Sequence, residues 1–200
     1  MESATALDAK AVNAKALQEG LQTGLSYYTP LSSLHLHLNR ISSQSEPNTV
    51  DVLAIVSSAA SKPSRATSGP RDYFTTLKIT TPPADGKVYV AFPQTQVQVF
   101  RWVKYVLPVA SVGDVVLLRD FVVRSARGKC FLLSTASSSW CVWRFGKASG
   151  GGSMECRGPP VEIGDGEKER ARVLRKLWVL GDKEEADDVG REEEVNGQMG

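Results

Sequence analysis

Rings and cations alternate at several places in this 200-residue sequence, and these are the residues whose types and spacing bear on chemistry. Tyr73 follows Arg71 and Asp72. Phe100 and Trp102 bracket Arg101, and Lys104 lies two residues on. Arg124, Arg127 and Lys129 crowd one short stretch, and Lys62 and Arg65 add cations in a loop upstream of Arg71. A single nucleic-acid strand needs this combination: positive charge tracks the phosphates, and open ring faces stack on bases at roughly 1–3 kcal/mol per base. Phe100 and Trp102 are two apart, so on a strand they share one side, and that side is either groove or core. Phe121, Phe131, Trp140 and Phe145 read as core or edge packing.

Catalytic chemistry finds no comparable pattern. The sequence has no nucleophile elbow, no Gly-rich phosphate loop, no His-Glu metal motif and no DxD-like cluster. Its two histidines, His35 and His37, sit in a leucine row with no acid or cysteine close in sequence to complete a metal site. Cys130, Cys141 and Cys156 are widely spaced and odd in number, which reads as buried, reduced thiols of a nuclear or cytosolic protein. Asp51, Asp72, Asp85, Asp114 and Asp120 fall mostly at strand ends, where turns and caps account for them. The expectation is a binding protein, with no enzyme activity, metal or cofactor.

Composition is that of a globular chain, 42% hydrophobic and 23% charged. No apolar run approaches the roughly 18 residues of a membrane span, and the N-terminal residues lack a signal-type apolar core. The formal net charge of +2 hides an asymmetry: residues 1–160 carry 17 Lys/Arg against 10 Asp/Glu, and residues 161–200 carry 7 against 12. A basic body with an acidic tail suits a polyanionic ligand.

The elements that must position these residues are strands. Val50 to Ser57 and Tyr73 to Thr80 are rich in Val, Ile, Leu, Thr and aromatics. The loop between them, Ser58 to Asp72, is far longer than the two to five residues of an ordinary hairpin, and it is basic. Lys87 to Phe92 and Val97 to Trp102 read as one strand bent at Pro93. A connector, Tyr105 to Gly113, leads to a long strand, Val115 to Ser125. Cys130 to Ser134 and Trp140 to Phe145 follow, with a Ser-rich loop, Thr135 to Ser139, between them. Thr29 with Pro30 is a plausible cap for a short helix over Leu31 to Leu38, a stretch whose alternation also permits a strand. Five strand regions, a long first loop and a connector between the third and fourth predict an all-β, five-stranded Greek-key barrel of the OB-fold type. On that fold the second and third strands, with the first and last loops, form the binding face.

The stretches RDYFTTLKITTP, VQVFRWVKYVLPVASVGDVVLLRDFVVRS and SSSWCVWRF resemble the telomeric single-stranded-DNA-binding OB-fold of the protection-of-telomeres and telomere-end-binding family. YYTPLSSL looks like the Thr-Pro-Leu opening of such domains. Arg71, Asp72, Tyr73, Thr75 and Thr76 resemble their second strand, and Phe100 with the later Leu107-Pro108 resembles their third strand and connector. The Gly-Pro-Pro and final helix look like the tail of filamentous-fungal members. The resemblance covers roughly residues 27–145. It implies a sequence-selective grip on a G-rich 3′ overhang, with Phe100 stacking a base and Arg71 and Asp72 touching bases or backbone. It also implies that Arg124, Lys129, Leu133 and Ser134 line the far end of the groove. Three departures stand out: Thr81-Pro82 where Asp-Pro is common, Trp102 where some members carry a basic residue, and Pro93 within the third strand.

The expected organisation is a helical leader at 1–26, the OB-fold at 27–146, a Gly/Pro-rich linker at 147–164, a C-terminal helix at 165–181 and an acidic disordered tail at 182–200. The expected function is nuclear: capture and protection of G-rich telomeric single-stranded DNA at chromosome ends. Other telomere-complex proteins are further partners, and neither a membrane nor a small-molecule substrate is involved. A protein-interaction scaffold within such a complex and a general binder of single-stranded DNA or RNA are the alternatives.

Overall fold

Val52 to Val56 and Val115 to Leu118 are apolar at every position rather than every second one, a pattern a strand shows when both its faces are covered. The computed structural model, which describes residues 20–38, 48–67, 72–82, 93–145, 152–157 and 159–179, shows what covers them. In chain order the elements are β1 (Leu21–Gln22), β2 (Tyr27–Tyr28), a 3-10 helix (Leu31–His37), β3 (Thr49–Ser58), β4 (Ser64–Arg65), β5 (Tyr73–Thr80) and β6 (Thr95–Arg101). A second 3-10 helix (Lys104–Val106), β7 (Val115–Ala126), β8 (Lys129–Phe145), β9 (Gly152–Arg157) and an α-helix, α1, at 165–179 complete them.

Five strands close on themselves in the order β3, β5, β6, β8, β7 and back to β3, antiparallel throughout except for the parallel β6–β8 pair. This is the OB-fold barrel. One side of each strand fills its interior: Val52, Ala54 and Val56 of β3 meet Leu77, Ile79, Val97, Val99, Val116, Leu118, Leu132 and Trp140. The other side of β3, β7 and the end of β8, with Leu53, Ile55, Val115, Leu117, Cys141 and Trp143, is roofed by Ala171, Leu174 and Leu177 of α1, and Trp178 packs against the same cluster. The C-terminal helix is therefore the outer cover of the barrel wall. Gly113 permits its close approach, because at φ +83° a side chain would be strained and its Cβ would collide with Arg175.

A polar network fastens α1 to the wall. Arg119 of β7 donates to Asp51 Oδ2 at 3.0 Å, to the Tyr28 hydroxyl at 2.7 Å and to the Glu162 carbonyl at 3.1 Å. Its guanidinium also lies 3.9 Å from Glu167 Oε1. Glu167, 1% exposed, accepts from Thr23 at 2.5 Å, from the Tyr28 hydroxyl at 2.9 Å and from the Gly164 amide at 3.0 Å. Burial pushes the Glu167 carboxyl up, but these bonds outweigh it and hold the group below its ordinary 4.5. A depressed carboxylate stabilises the fold fully above that ordinary value, and its contribution is lost as pH falls through the lower folded value. Docking of α1, followed by Trp178 fluorescence, is thus expected to weaken as pH drops below 4.5. Glu167→Gln should be less stable at neutral pH and flatten that acid dependence.

Several expectations need correction. The end of the leader is strand, not helix: β1 pairs antiparallel with β2, which pairs in parallel with β3, while residues 1–19 lie outside the described set. The first short helix is capped at Pro30, in extended conformation and without a side-chain bond, because Thr29 is drawn into the sheet, its amide donating to the Asp51 carbonyl. The third strand runs Thr95–Arg101, so it neither begins at Val97 nor reaches Trp102; its expected first half at 87–92 lies outside the described residues.

Thr135 to Ser139 is no loop. β8 runs unbroken through it, with residues 135–138 bulged opposite Asp120 of β7, itself at φ 57°. Hydroxyls carry the bulge: Thr135 and Ser138 both donate to the Asp120 carbonyl, at 3.2 and 2.6 Å, and the Thr135 amide donates to Ser138 at 2.7 Å. Within the expected linker at 147–164, Gly152–Arg157 is a strand paired antiparallel with the end of β8. α1 is helical through 179, and residues 180–200, with the last two of the expected helix and the expected tail, lie outside the described residues. The three thiols are free; only Cys141 is buried, whereas Cys130 is half-buried and Cys156 exposed.

Candidate nucleic-acid interface

Among the described residues, no helix lies over the outer face of β5, β6 and the first part of β8, residues 129–134. Alternation along β5 buries Thr75, Leu77 and Ile79, leaving Phe74, Thr76 and Lys78 on the outside. On β6, Thr95, Val97 and Val99 are buried, and Gln96, Gln98 and Phe100 face out. Register sets these into three rows. Phe74 lies opposite Phe100; Thr76 aligns with Gln98, Leu133 and Val122; and Lys78 aligns with Gln96, Phe131 and Arg124.

The two phenylalanines stack, with ring centres 5.5 Å apart and planes 20° from parallel, a geometry aromatic pairs favour. Both are half-buried, so part of each ring is open to solvent. Beside it opens a cavity of about 550 Å³ lined by Asp72, Phe100, Arg101, Trp102, Val106, Ser134, Thr135, Ala136 and Pro159, within the roughly 300–1,000 Å³ usual for ligand sites.

Phe100 is held from behind. Its amide donates to Ser134 Oγ at 2.9 Å. Its carbonyl accepts from Arg101 Nη1 at 2.7 Å; that group also donates to the Thr135 carbonyl at 2.9 Å, and Nη2 donates to the Ser138 carbonyl. The guanidinium lies 4.5 Å from the centre of the fully buried Trp140 ring. Burial lowers the Arg101 pKa, and Asp72 opposes the shift. Arg101 is thus an internal strut tying the stacking strand to the β8 bulge.

The cavity brings together Asp72, Phe100, Trp102 and Ser134 from the expected site. Leu133 and Arg124 join the same face through register, and Lys129 is exposed at the start of β8 near them. Arg127 is exposed at the hairpin turn, with φ 50°. Lys62 and Arg65 are exposed on the first loop, which Ser61 pins to β5 through its carbonyl and hydroxyl, contacts with Thr75 and Thr76 of 2.7 and 2.9 Å. Lys104 is exposed on the connector. Arg71 lies outside the described residues. Tyr73 is not part of the stacked pair: it packs against the barrel interior, and the Arg65 guanidinium, 5.0 Å from its ring centre, lowers its pKa by hydrogen bonding and charge.

Sequence reasoning missed Phe74, Lys78, Gln96, Gln98 and Phe131, and placed Phe131 with the packing residues. The signal for Phe74 was present, since Tyr73 and Phe74 must face opposite ways and Tyr73 shares parity with Thr75 and Leu77. Phe131 needed the parallel β6–β8 register, which no local pattern carries.

A closed OB-fold barrel with a ring-bearing sheet face left uncovered among the described residues defines this protein as an OB-fold binding module. The family profile described as "Telomeric single stranded DNA binding POT1/CDC13" matches residues 24–185, and the chain belongs to that family. Two solved structures share its fold. One, titled as a crystal structure of fission yeast Pot1 and ssDNA, is 23% identical with a TM-score of 0.65, over 84% of this chain and 53% of that one. The other, titled as a Pot1 (protection of telomere)–ssDNA complex, is 22% identical with a TM-score of 0.68, over 86% of this chain and 98% of that one. This chain therefore spans about half the length of the fission yeast structure and nearly all of the second. No curated protein sequence matches it.

Proposed function

We propose that this protein binds G-rich telomeric single-stranded DNA, at chromosome ends in the nucleus, and shields the strand there without any catalytic step. The observation that carries the reading is the stacked Phe74–Phe100 pair on an open sheet face, beside a cavity, with Lys78 and Arg124 two rows along the same sheet. Rings and cations together give base stacking and phosphate neutralisation, the two terms single-strand binding needs. Family membership and the ssDNA named in the titles of the two similar structures support the same ligand.

Fluorescence anisotropy with a G-rich telomeric repeat, its C-rich complement and an RNA of equal length tests the reading. The G-rich DNA should bind far more tightly than the other two. Equal affinity for all three would leave only a general single-strand binder, and no binding at 50 mM salt would remove nucleic acid as the ligand.

The phosphate contribution is separately measurable. For single strands the slope of log affinity against log salt is about −0.7 per phosphate engaged. Arg124→Gln and Lys129→Gln are each expected to reduce its magnitude by about 0.7. An unchanged slope would place these cations off the strand's path.

A further inference from the structure

Pairing along β6 ends where Arg101 meets Tyr73, and the chain leaves the sheet in an exposed connector. Trp102, one residue past that last rung, is 80% exposed, and Tyr105 is 71% exposed. Two large rings are thus left in water on a connector that buries Leu107 and Pro108 only a few residues on. The indole is continuous with the groove, because it lines the same cavity as Phe100 and Asp72, along with Val106 and Pro159. Lys104, between the two rings in sequence, is exposed as well.

The connector's backbone is braced. Arg157 of β9 donates to the Tyr105 carbonyl at 2.8 Å, and Arg144 of β8 donates to the Val109 carbonyl at 2.9 Å. Glu155 joins the two arginines through an ion pair with each. Rings on a fixed backbone lose little freedom when they are covered, so contact area there converts efficiently to affinity.

We propose that Trp102, with Lys104 two residues on in the chain, forms a stacking subsite outside the barrel that takes one further nucleotide at one end of a bound single strand. The inference rests on the groove reading given above. A nucleotide is the occupant the observations favour: Trp102 lines the cavity beside Phe100, and an exposed cation for the adjoining phosphate, Lys104, lies two residues on in the chain. Stacking on an exposed ring tolerates any base, so this position should add affinity with little sequence preference.

The test uses the full chain and G-rich oligonucleotides of roughly 4–16 nucleotides, lengthened one nucleotide at a time from either end. In the unaltered protein, one added nucleotide at one end should raise affinity by roughly 5- to 150-fold. That step should vanish with Trp102→Ala, survive in part with Trp102→Phe, and disappear when the added nucleotide is abasic. The step is a ratio within each variant, so any change in binding of the shorter strand cancels. A step that persists undiminished in Trp102→Ala, or no step at either end, would overturn the subsite while leaving the groove reading intact. Failure of every length to bind would overturn the groove reading, and the subsite with it.

Discussion

Alanine at both Phe74 and Phe100 is expected to weaken single-stranded DNA binding by about 2–4 kcal/mol, roughly 30- to 900-fold. Each ring alone should be worth about 1–3 kcal/mol. The two losses should not simply add, because the rings contact each other at 5.5 Å, and removing one leaves the other less well fixed. Anisotropy titrations of the two single variants and the double variant give the coupling directly. Both side chains are half-buried and outside the barrel interior, so the urea midpoint should move little. A folded double variant that binds as tightly as the unaltered protein would remove this face from the interface.

The largest stability effect is expected at Arg119→Ala. The guanidinium serves Asp51, the Tyr28 hydroxyl, the Glu162 carbonyl and Glu167 at once, with its side chain only 14% exposed. Its removal leaves two largely buried carboxylates without their cation, and breaking such a pair from one side costs about 3–5 kcal/mol. For a chain of this size that is a fall in Tm of about 6–20 °C. Thermal melts followed by circular dichroism, with Trp178 fluorescence reporting the helix, would check it. Because this network lies on the wall beneath α1, a folded Arg119→Ala protein should retain its grip on DNA at low temperature. A loss of affinity there would mean that the clamp also shapes the groove.

The barrel was legible in the sequence where local pattern and tertiary role coincide. β5 is bounded by the residues read from its Thr-rich, aromatic composition, and β3 and β7 differ by a residue at each discrepant end. Their unbroken apolar runs also announced a second covered face, which α1 supplies. Where polar residues build regular structure, the same reading failed. Thr135 to Ser139 look like a loop because serines usually mark one, yet in place their hydroxyls satisfy the Asp120 carbonyl and the backbone of the bulge. β9 was hidden for a related reason: GGGSMECR carries no strand pattern of its own, and pairing with β8 is what makes it one.

The candidate site was half legible. Phe100, Asp72 and Ser134 line one cavity, although the resemblance put Ser134 at the far end of the groove, whereas its hydroxyl accepts from the Phe100 amide; Phe74, which faces Phe100, was not among the candidates. Tyr73 carries the richer side chain and sits two residues after Arg71 in sequence. Its parity sends it inward, and its neighbour Phe74 receives the open position. Nothing local reveals that Phe131 and Arg124 come alongside Gln96, since that depends on a parallel pairing between strands separated by the connector and a hairpin.

Photo-cross-linking of a halogenated G-rich single strand, followed by peptide mapping, tests the central claim most directly. The outer face of β5, β6 and β8 should capture it, with adducts at Phe74, Phe100 or Phe131. Adducts confined to α1 or to β9, with these three phenylalanines unmodified, would contradict the account.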